Sequence, residues 1–512
     1  MILAKWIFPG MTSKCKELYF HGNANCERES ELLLKPKQIV TLDTYFNAFF
    51  YNAYQEYTDV NDVCVRTVST GRLRIALIAL GKGGKRELAT VEAFGDHVET
   101  IFPVVSLDEL PTDGMLFVEF KAQTETIIHS GTYEADIKQR NAVRIAVVIC
   151  TYHREEYIVR NLEQIRRNLW DIGETGVSDA ADCFVIDNGG SLKIEQNEHI
   201  QVLTNKNYGG SGGFTRGIIE AYRCGDKYSH VLLMDDDISF EPEIMARTIR
   251  FLQVASISKK PLCIGGQMLL EGKPTVQYEA GGNFINSRVQ SVGQGMDLAR
   301  PEMLLKNTAL QGQTYQAWWY CCFPISEVDR IGLPLPLFIK CDDIEYGLRM
   351  CPQLILMNGI GVWHKDFTEK ISPHLEYYIK RNELVVSALH DKKNKLRTAL
   401  AKMLRACGKA ALIGDTRNID FILRAYDDFL KGPAFFGQTD EEELNVRLLK
   451  QCKNASKARA KTILTCFPRI AAMSIRLILE YGEISDNYLN KMGVYTGMDF
   501  WCEHLEIKLI GG

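Results

Sequence analysis

VRIAVVICTY, residues 143–152, is the stretch whose reading decides the fold. It is a continuous apolar run, the pattern of a strand buried on both faces. Directly after it, REEYIVRNLEQIRRNL (154–169) carries Tyr157, Ile158, Leu162, Ile165 and Leu169 at helical spacing. CFVIDNGG (183–190) then reads as a strand ending in Asp187 and glycines. IQVLTN (200–205) is a short strand-like segment, and HVLLMDDD (230–237) is another strand. Strand, helix and strand in alternation predict a mostly parallel, Rossmann-like sheet with helices on its faces. Ligands of such sheets bind outside the carboxyl ends of the strands. Arg154, Asp187, Asn207 and the triplet Asp235, Asp236 and Asp237 all fall at those ends.

The character of the chain differs on either side. Residues 1–140 are β-prone, with short runs punctuated by Gly and Pro, which predicts a β-sandwich. Within them, DVCVRTVSTGRLRIALIAL (62–80) reads as two strands around a hairpin turn at Ser69-Thr70-Gly71. From about residue 375 the periodicity is helical. Leu396, Leu400, Met403 and Cys407 share one face, while Lys402, Arg405 and Lys409 fall elsewhere. AKTILTCFPRIAAMSIRLILEY (460–481) is apolar and basic, and KGPAFFG (431–437) breaks the run. The expected architecture is therefore a multi-domain α/β chain: a β-sandwich over 1–140, a parallel α/β domain over 141–375 and a helical region over 376–512.

Bulk properties narrow the function classes. The 512 residues are 46% hydrophobic and 24% charged, as in ordinary globular proteins. A net charge of −4 gives no case for nucleic acid as a partner. The 15 cysteines include no C-x-x-C pair, and Met1–Phe8 is too short and too broken by Lys5 for a secretory signal. Reduced thiols and a cytoplasmic setting are expected. No apolar stretch approaches the roughly 20 residues that span a bilayer, so any membrane contact would be peripheral.

Three segments point to chemistry. In the aspartate triplet, carboxylates two apart at the end of a strand can place oxygens on one hard cation such as Mg²⁺ or Mn²⁺. NYGGSGGFTRG (207–217) reads equally as a ligand loop before a helix or as a tight connection. LPLPLFIKCDDIEYGLRM (333–350) sets Asp342, Asp343 and Glu345 at a helix start. Acidic groups suit the helix dipole there, and one of them can also accept a proton from an attacking hydroxyl. His364, in GVWHKDF (361–367), is a candidate third metal ligand beside the carboxylates, against the alternative of a structural histidine. Trp318 and Trp319, in QAWWYCCFP (316–324), fit either a core or a surface for sugar rings.

Taken in order, TYHR, VIDNGG, NYGGSGGFTRG, MDDD, WWYCCFP, LPLPLFIKCDDIEYGLR and VWHKDF resemble glycosyltransferase family 2. More narrowly, they resemble the bacterial galactofuranosyltransferases that build galactan chains. TYFNAFFYNAYQEYT (44–58) and YDDFLKGP (426–433) extend the similarity to most of the chain. The resemblance implies a central GT-A domain, a UDP-linked sugar donor and an inverting displacement. It implies that Arg154 and Asp187 hold the nucleotide, with Asn207 near the diphosphate. Asp235 and Asp237 would contact the Mn²⁺ or Mg²⁺ and the donor, with His364 as a further ligand. Asp343 would be the general base, Asp342 would help hold the acceptor, and Trp318 and Trp319 would line sugar subsites. The expected acceptor is a glycan or lipid-linked glycan, and the basic C-terminal helices fit either a peripheral contact at the inner face of the plasma membrane or packing on the catalytic domain with a solvated basic face. Another nucleotide sugar, a non-catalytic carbohydrate-binding role, and a homo-oligomeric assembly stay open.

Overall fold

The computed structural model describes every residue except 10–14, 29–30, 175, 257, 259, 368–372, 392–394, 454–464 and 508–512. The expected segment 460–481 thus lies outside the described residues over 460–464.

The first part of the chain is all β apart from short helical turns. Its ten strands are linked by hydrogen bonds into one connected network. The reason is the single strand Asp62–Gly81, which runs through the position where a hairpin turn was expected. Gly71 is a kink in that strand, at φ +109°, where a Cβ would meet the Glu125 carbonyl at 2.5 Å. Before the kink the strand pairs with Thr126–Glu134; beyond it, with Met115–Ala122. The hairpin turn comes later, between Gly81 and Gly84. Alternation of buried residues at Val63, Val65, Thr67 and Ser69 shows the two-residue strand period filling a core.

The central unit holds a seven-stranded sheet. Its order is Ile200–Thr204, Ala181–Asp187, Ile145–Thr151, His230–Asp235, Cys321–Pro324, Leu262–Gly265 and Gln353–Ile355. All run in one direction except Cys321–Pro324. The helix Glu155–Ile165 buries Ile158, Leu162 and Ile165, and widens into a π turn over Arg166–Trp170. The helix Gly209–Arg223 lies close on the sheet because it lacks side chains where it crosses. A Cβ at Gly213 would meet Cys150 Sγ at 2.1 Å, and one at Gly217 would meet Val148 Cγ1 at 2.1 Å. A smaller sheet of Ser239–Phe240, Gly361–His364, Gln267–Leu270 and Lys273–Glu279 stands beside the main one.

The last part is helical, with long helices Pro373–His390, Lys395–Leu412, Thr416–Leu430 and Cys466–Tyr495 around one apolar cluster. Met403 and Cys407 are buried in it, with Leu396 and Leu400 packed alongside. Leu335, Leu337 and Phe338 of the central unit belong to the same cluster. None of the described helices is long and apolar enough to cross a membrane.

Buried polar groups tie the first part to the centre. The Arg247 guanidinium donates to the carbonyls of Lys5 (2.7 Å), Phe46 (2.7 Å) and Gly359 (3.1 Å). Asn47, in the TYFNAFF segment, is fully buried and bonds the carbonyls of Ile7 and Tyr19. That segment is therefore scaffold.

Candidate active site

The carboxyl ends of three parallel strands come level, with Thr151 opposite Asp187 and Cys150 opposite Asp235. The strand ends at Asp235, and the turn that follows carries Asp236 and Asp237. Asp236 is anchored: its carboxylate accepts from Thr151 Oγ1 and Arg154 Nη1, both at 2.7 Å, and Asn161 Nδ2 donates to its carbonyl at 2.9 Å. This is the role that the triplet's middle residue lacked in sequence.

Asp235, Asp237 and His364 each offer a ligand atom, and these atoms lie within 4.8 Å of one another. His364 Nε2 is 3.0 Å from Asp237 Oδ1, and its Nδ1 faces the Lys365 carbonyl at 2.6 Å. The second contact fixes the ring, as a backbone partner does for a ligating histidine. Burial and the charge of Asp237 push the Asp235 carboxyl up, which marks a crowd of negative charge that a cation relieves. Two carboxylates and an imidazole are a donor set that suits Mn²⁺ or Mg²⁺. The residues therefore fit a divalent ion.

Arg154 sits on the acidic side of this group, with Nη1 2.7 Å from Asp236 and 2.9 Å from Asp237. Asp187 closes its own turn, accepting from the backbone N–H of Gly189 (2.9 Å) and Leu192 (2.8 Å). Asn207 accepts from the Gly209 N–H at 3.1 Å. The glycine-rich loop resolves mainly as a connection. Gly209, at φ +67°, lets the Phe338 carbonyl approach to where a Cβ would stand 2.1 Å away, and Ser211 bonds the Phe338 and Leu335 carbonyls. Gly210 faces the acids instead, with Asp342 Oδ2 3.7 Å from its Cβ position.

The second acidic group opens the helix Asp342–Met350. It follows a strained approach: Phe338, Lys340 and Cys341 have φ of 67°, 70° and 66°. Left-handed backbone at such residues costs about 1–3 kcal/mol each. Burial pushes both Asp342 and Asp343 upward from the ordinary carboxylate range, and the charge of Asp343 raises Asp342 further. Glu345 behaves oppositely: against its burial, Arg349 and His390 draw it down to about 2. It is an ion-pair anchor, 2.8 Å from Arg349.

Two residues at this site were given no role by the sequence. Lys340 lies between the clusters, and its charge pulls Asp235, Asp342 and Asp343 downward. Glu279 is buried on the strand Lys273–Glu279, receives a hydrogen bond from Ser291, and is pushed up to about 7 by burial and by the charge of Asp343. Only the pairing of the small sheet brings it there, so its sequence neighbours give no signal.

Trp318 and Trp319 are each 5% exposed. Trp318 packs edge-on to Phe214, with centroids 5.3 Å apart. Trp319 donates to the Gly266 carbonyl at 2.8 Å and lies against Phe367, which in turn stacks on His364 at 4.6 Å.

The family model described as "Glycosyltransferase like family 2" matches residues 142–353. The chain is 27% identical over 457 residues to "Galactofuranosyltransferase GlfT2" of Mycolicibacterium smegmatis, covering 83% of this chain and 70% of that protein. The protein of the same name from Mycobacterium tuberculosis is also 27% identical over 457 residues, covering 83% of this chain and 71% of its own length. Among solved structures, GalNAc-T7 with UDP, GalNAc and Mn²⁺ aligns with a TM-score of 0.36 at 12% identity, covering 58% of each chain. The mannosyltransferase PcManGT from Pyrobaculum calidifontis, in complex with GDP-Man and Mn²⁺, aligns with a TM-score of 0.32 at 11% identity, covering 67% of this chain and 90% of its own. The chain is a glycosyltransferase with a family 2 domain at residues 142–353, and it is galactofuranosyltransferase-like over most of its length.

Proposed function

We propose that the protein is a metal-dependent inverting transferase that moves galactofuranose from UDP-galactofuranose to a glycan or lipid-linked glycan. The observation that carries this reading is the division of the buried acids into two groups that share one cation, Lys340. One group pairs two carboxylates with an imidazole, Asp235, Asp237 and His364, the donor set of a cation site. The other begins a helix, and burial makes its carboxylates stronger bases than ordinary ones. Identity to two proteins named galactofuranosyltransferases supports the choice of donor.

Asp235, Asp237 and His364 would hold Mn²⁺ or Mg²⁺, which supplies Lewis-acid neutralisation of a departing diphosphate. Arg154, Asp187 and Asn207 line the same strand ends and orient the nucleotide. Asp343 takes the proton from the acceptor hydroxyl as that oxygen attacks the anomeric carbon on the face opposite UDP. Asp342 holds the acceptor beside it, and Trp318 and Trp319 back the sugar subsites. The surroundings of the C-terminal helices fit a peripheral membrane contact: a cleft of about 450 Å³ is lined by Arg288, Arg397, Lys402 and Arg405, and Leu412 and Ile413 are 90% and 70% exposed.

A donor screen with Mn²⁺, scoring UDP release and product linkage, tests the reading. UDP-galactofuranose is the expected active donor, and Asp343→Asn is expected to bind UDP normally but lose turnover. Transfer from UDP-galactopyranose or dTDP-rhamnose alone would overturn the donor, and wild-type turnover in Asp343→Asn would overturn the base. Flotation with anionic liposomes, absent with neutral ones, is the expected membrane result.

A further inference from the structure

We propose that Arg381 and Asn382, on the C-terminal helix Pro373–His390, are positioning residues that clamp segment 337–341 and so set the aim of Asp342 and Asp343. The inference rests on the reading of Asp343 as the proton acceptor.

The geometry is unusual for a helix residue. Asn382 is fully buried, and its Nδ2 lies within hydrogen-bond distance of three carbonyls of one turn: Leu337 (2.9 Å), Ile339 (2.9 Å) and Lys340 (2.8 Å). The left-handed conformations at Phe338, Lys340 and Cys341 wind the backbone so that these oxygens converge on one point. The Leu337 carbonyl accepts from the Ile339 N–H as well. Arg381, 1% exposed, completes the clamp. Its Nη2 donates to the Leu337 carbonyl at 3.0 Å, and its Nε holds Asn382 Oδ1 at 2.9 Å, which fixes the amide's orientation. Its Nη1 pairs with buried Glu441 at 3.0 Å, and its guanidinium lies over the rings of Tyr377, Tyr378 and Phe435.

The segment is gripped on its other side too. Phe338 stacks on Tyr378, and its carbonyl accepts from the Ser211 N–H across Gly209. Cys341 is the residue before the helix Asp342–Met350. A change in its φ therefore swings both carboxylates as one body. Neither Arg381 nor Asn382 contacts the acids, so their effect passes through the backbone they hold. A misplacement of about 1 Å at a reacting group can cost on the order of 100-fold in rate.

The test compares Asn382→Ala, Asn382→Ser and Arg381→Lys with the wild-type full chain. Readouts are kcat and KM for acceptor, Mn²⁺-dependent UDP affinity, and amide hydrogen exchange over 337–345. Expected are a fall in kcat of about 10- to 100-fold for Asn382→Ala, UDP affinity within twofold of wild type, and faster exchange confined to the segment. Asn382→Ser keeps one donor and recovers part of kcat. Should Asn382→Ala not fold, Asn382→Ser and Arg381→Lys carry the same comparison. A kcat within twofold of wild type, or losses in kcat and UDP affinity that move together with global exchange, would overturn the clamp. Inactivity of the wild type with every donor would sink the functional reading alone. The exchange comparison needs no substrate, and unchanged segment exchange in the folded variants would still overturn the clamp.

Discussion

Glu279 offers a test of the acid cluster that needs no substrate. Its carboxyl rises from an ordinary 4.5 to about 7, first through burial and further through the charge of Asp343. The unfolded chain releases this proton near 4.5, while the folded chain keeps it until about 7. Stability from this group is therefore lost as pH rises through that window and is flat above it. The cost at pH 8 is about 3 kcal/mol, from a shift of roughly 2.5 units at 1.36 kcal/mol each. At pH 5 it is under about 1 kcal/mol. Glu279→Gln removes the charge and keeps an acceptor for the Ser291 hydroxyl. Calorimetric melting should show the variant a few degrees more stable than wild type at pH 8, and close to it at pH 5. Asp343→Asn should shrink the pH difference by removing the charge that helps hold the proton on Glu279. Equal shifts at both pH values, or destabilisation at pH 8, would refute the cluster.

The other predictions concern the metal group and the scaffold. Asp237→Ala should weaken Mn²⁺-dependent UDP binding at least tenfold by titration calorimetry, about 1.4 kcal/mol; equal affinity with and without Mn²⁺ would count against the assigned ligands. Arg247→Ala orphans three buried carbonyls and should cost about 3 kcal/mol or more in denaturant unfolding; a loss below about 1 kcal/mol would show that water replaces the guanidinium. Gly217→Ala drives a methyl into Val148 and should cost about 1–3 kcal/mol. Gly408→Ala, with nothing within 4 Å of its Cβ position, should instead stabilise its helix by about 0.5–1 kcal/mol.

The central sheet was legible because VRIAVVICTY, CFVIDNGG and HVLLMDDD state their burial locally, within a few residues. The Asp235, Asp237 and His364 grouping was legible once the strand ends were placed, since a strand fixes where its last residues point. Gly71 was not: a turn and a kink ask for the same residue, and only the hairpin Met115–Glu134 crossing there decides between them. The glycines of residues 209–217 hid their purpose for a similar reason, as close packing and ligand approach both need an absent side chain. Glu279, Lys340 and Asn382 act through partners far away in sequence or through a strained backbone, and neither leaves a periodic mark.

The Arg247 contacts bear on the order in which the chain can mature during synthesis. The β-rich part, finished by Glu134, leaves the ribosome well before Gly359, yet the Lys5 and Phe46 carbonyls share one guanidinium with the Gly359 carbonyl. Phe46 also packs on Trp363, one residue before His364, with centroids 5.6 Å apart. At about 5–20 residues per second, the wait between the two is on the order of ten seconds or more. During it, an aromatic edge and a set of unmet carbonyls stand open to solvent or to a chaperone. The nascent β unit thus stays unfinished until the strand that ends at His364 arrives to close it.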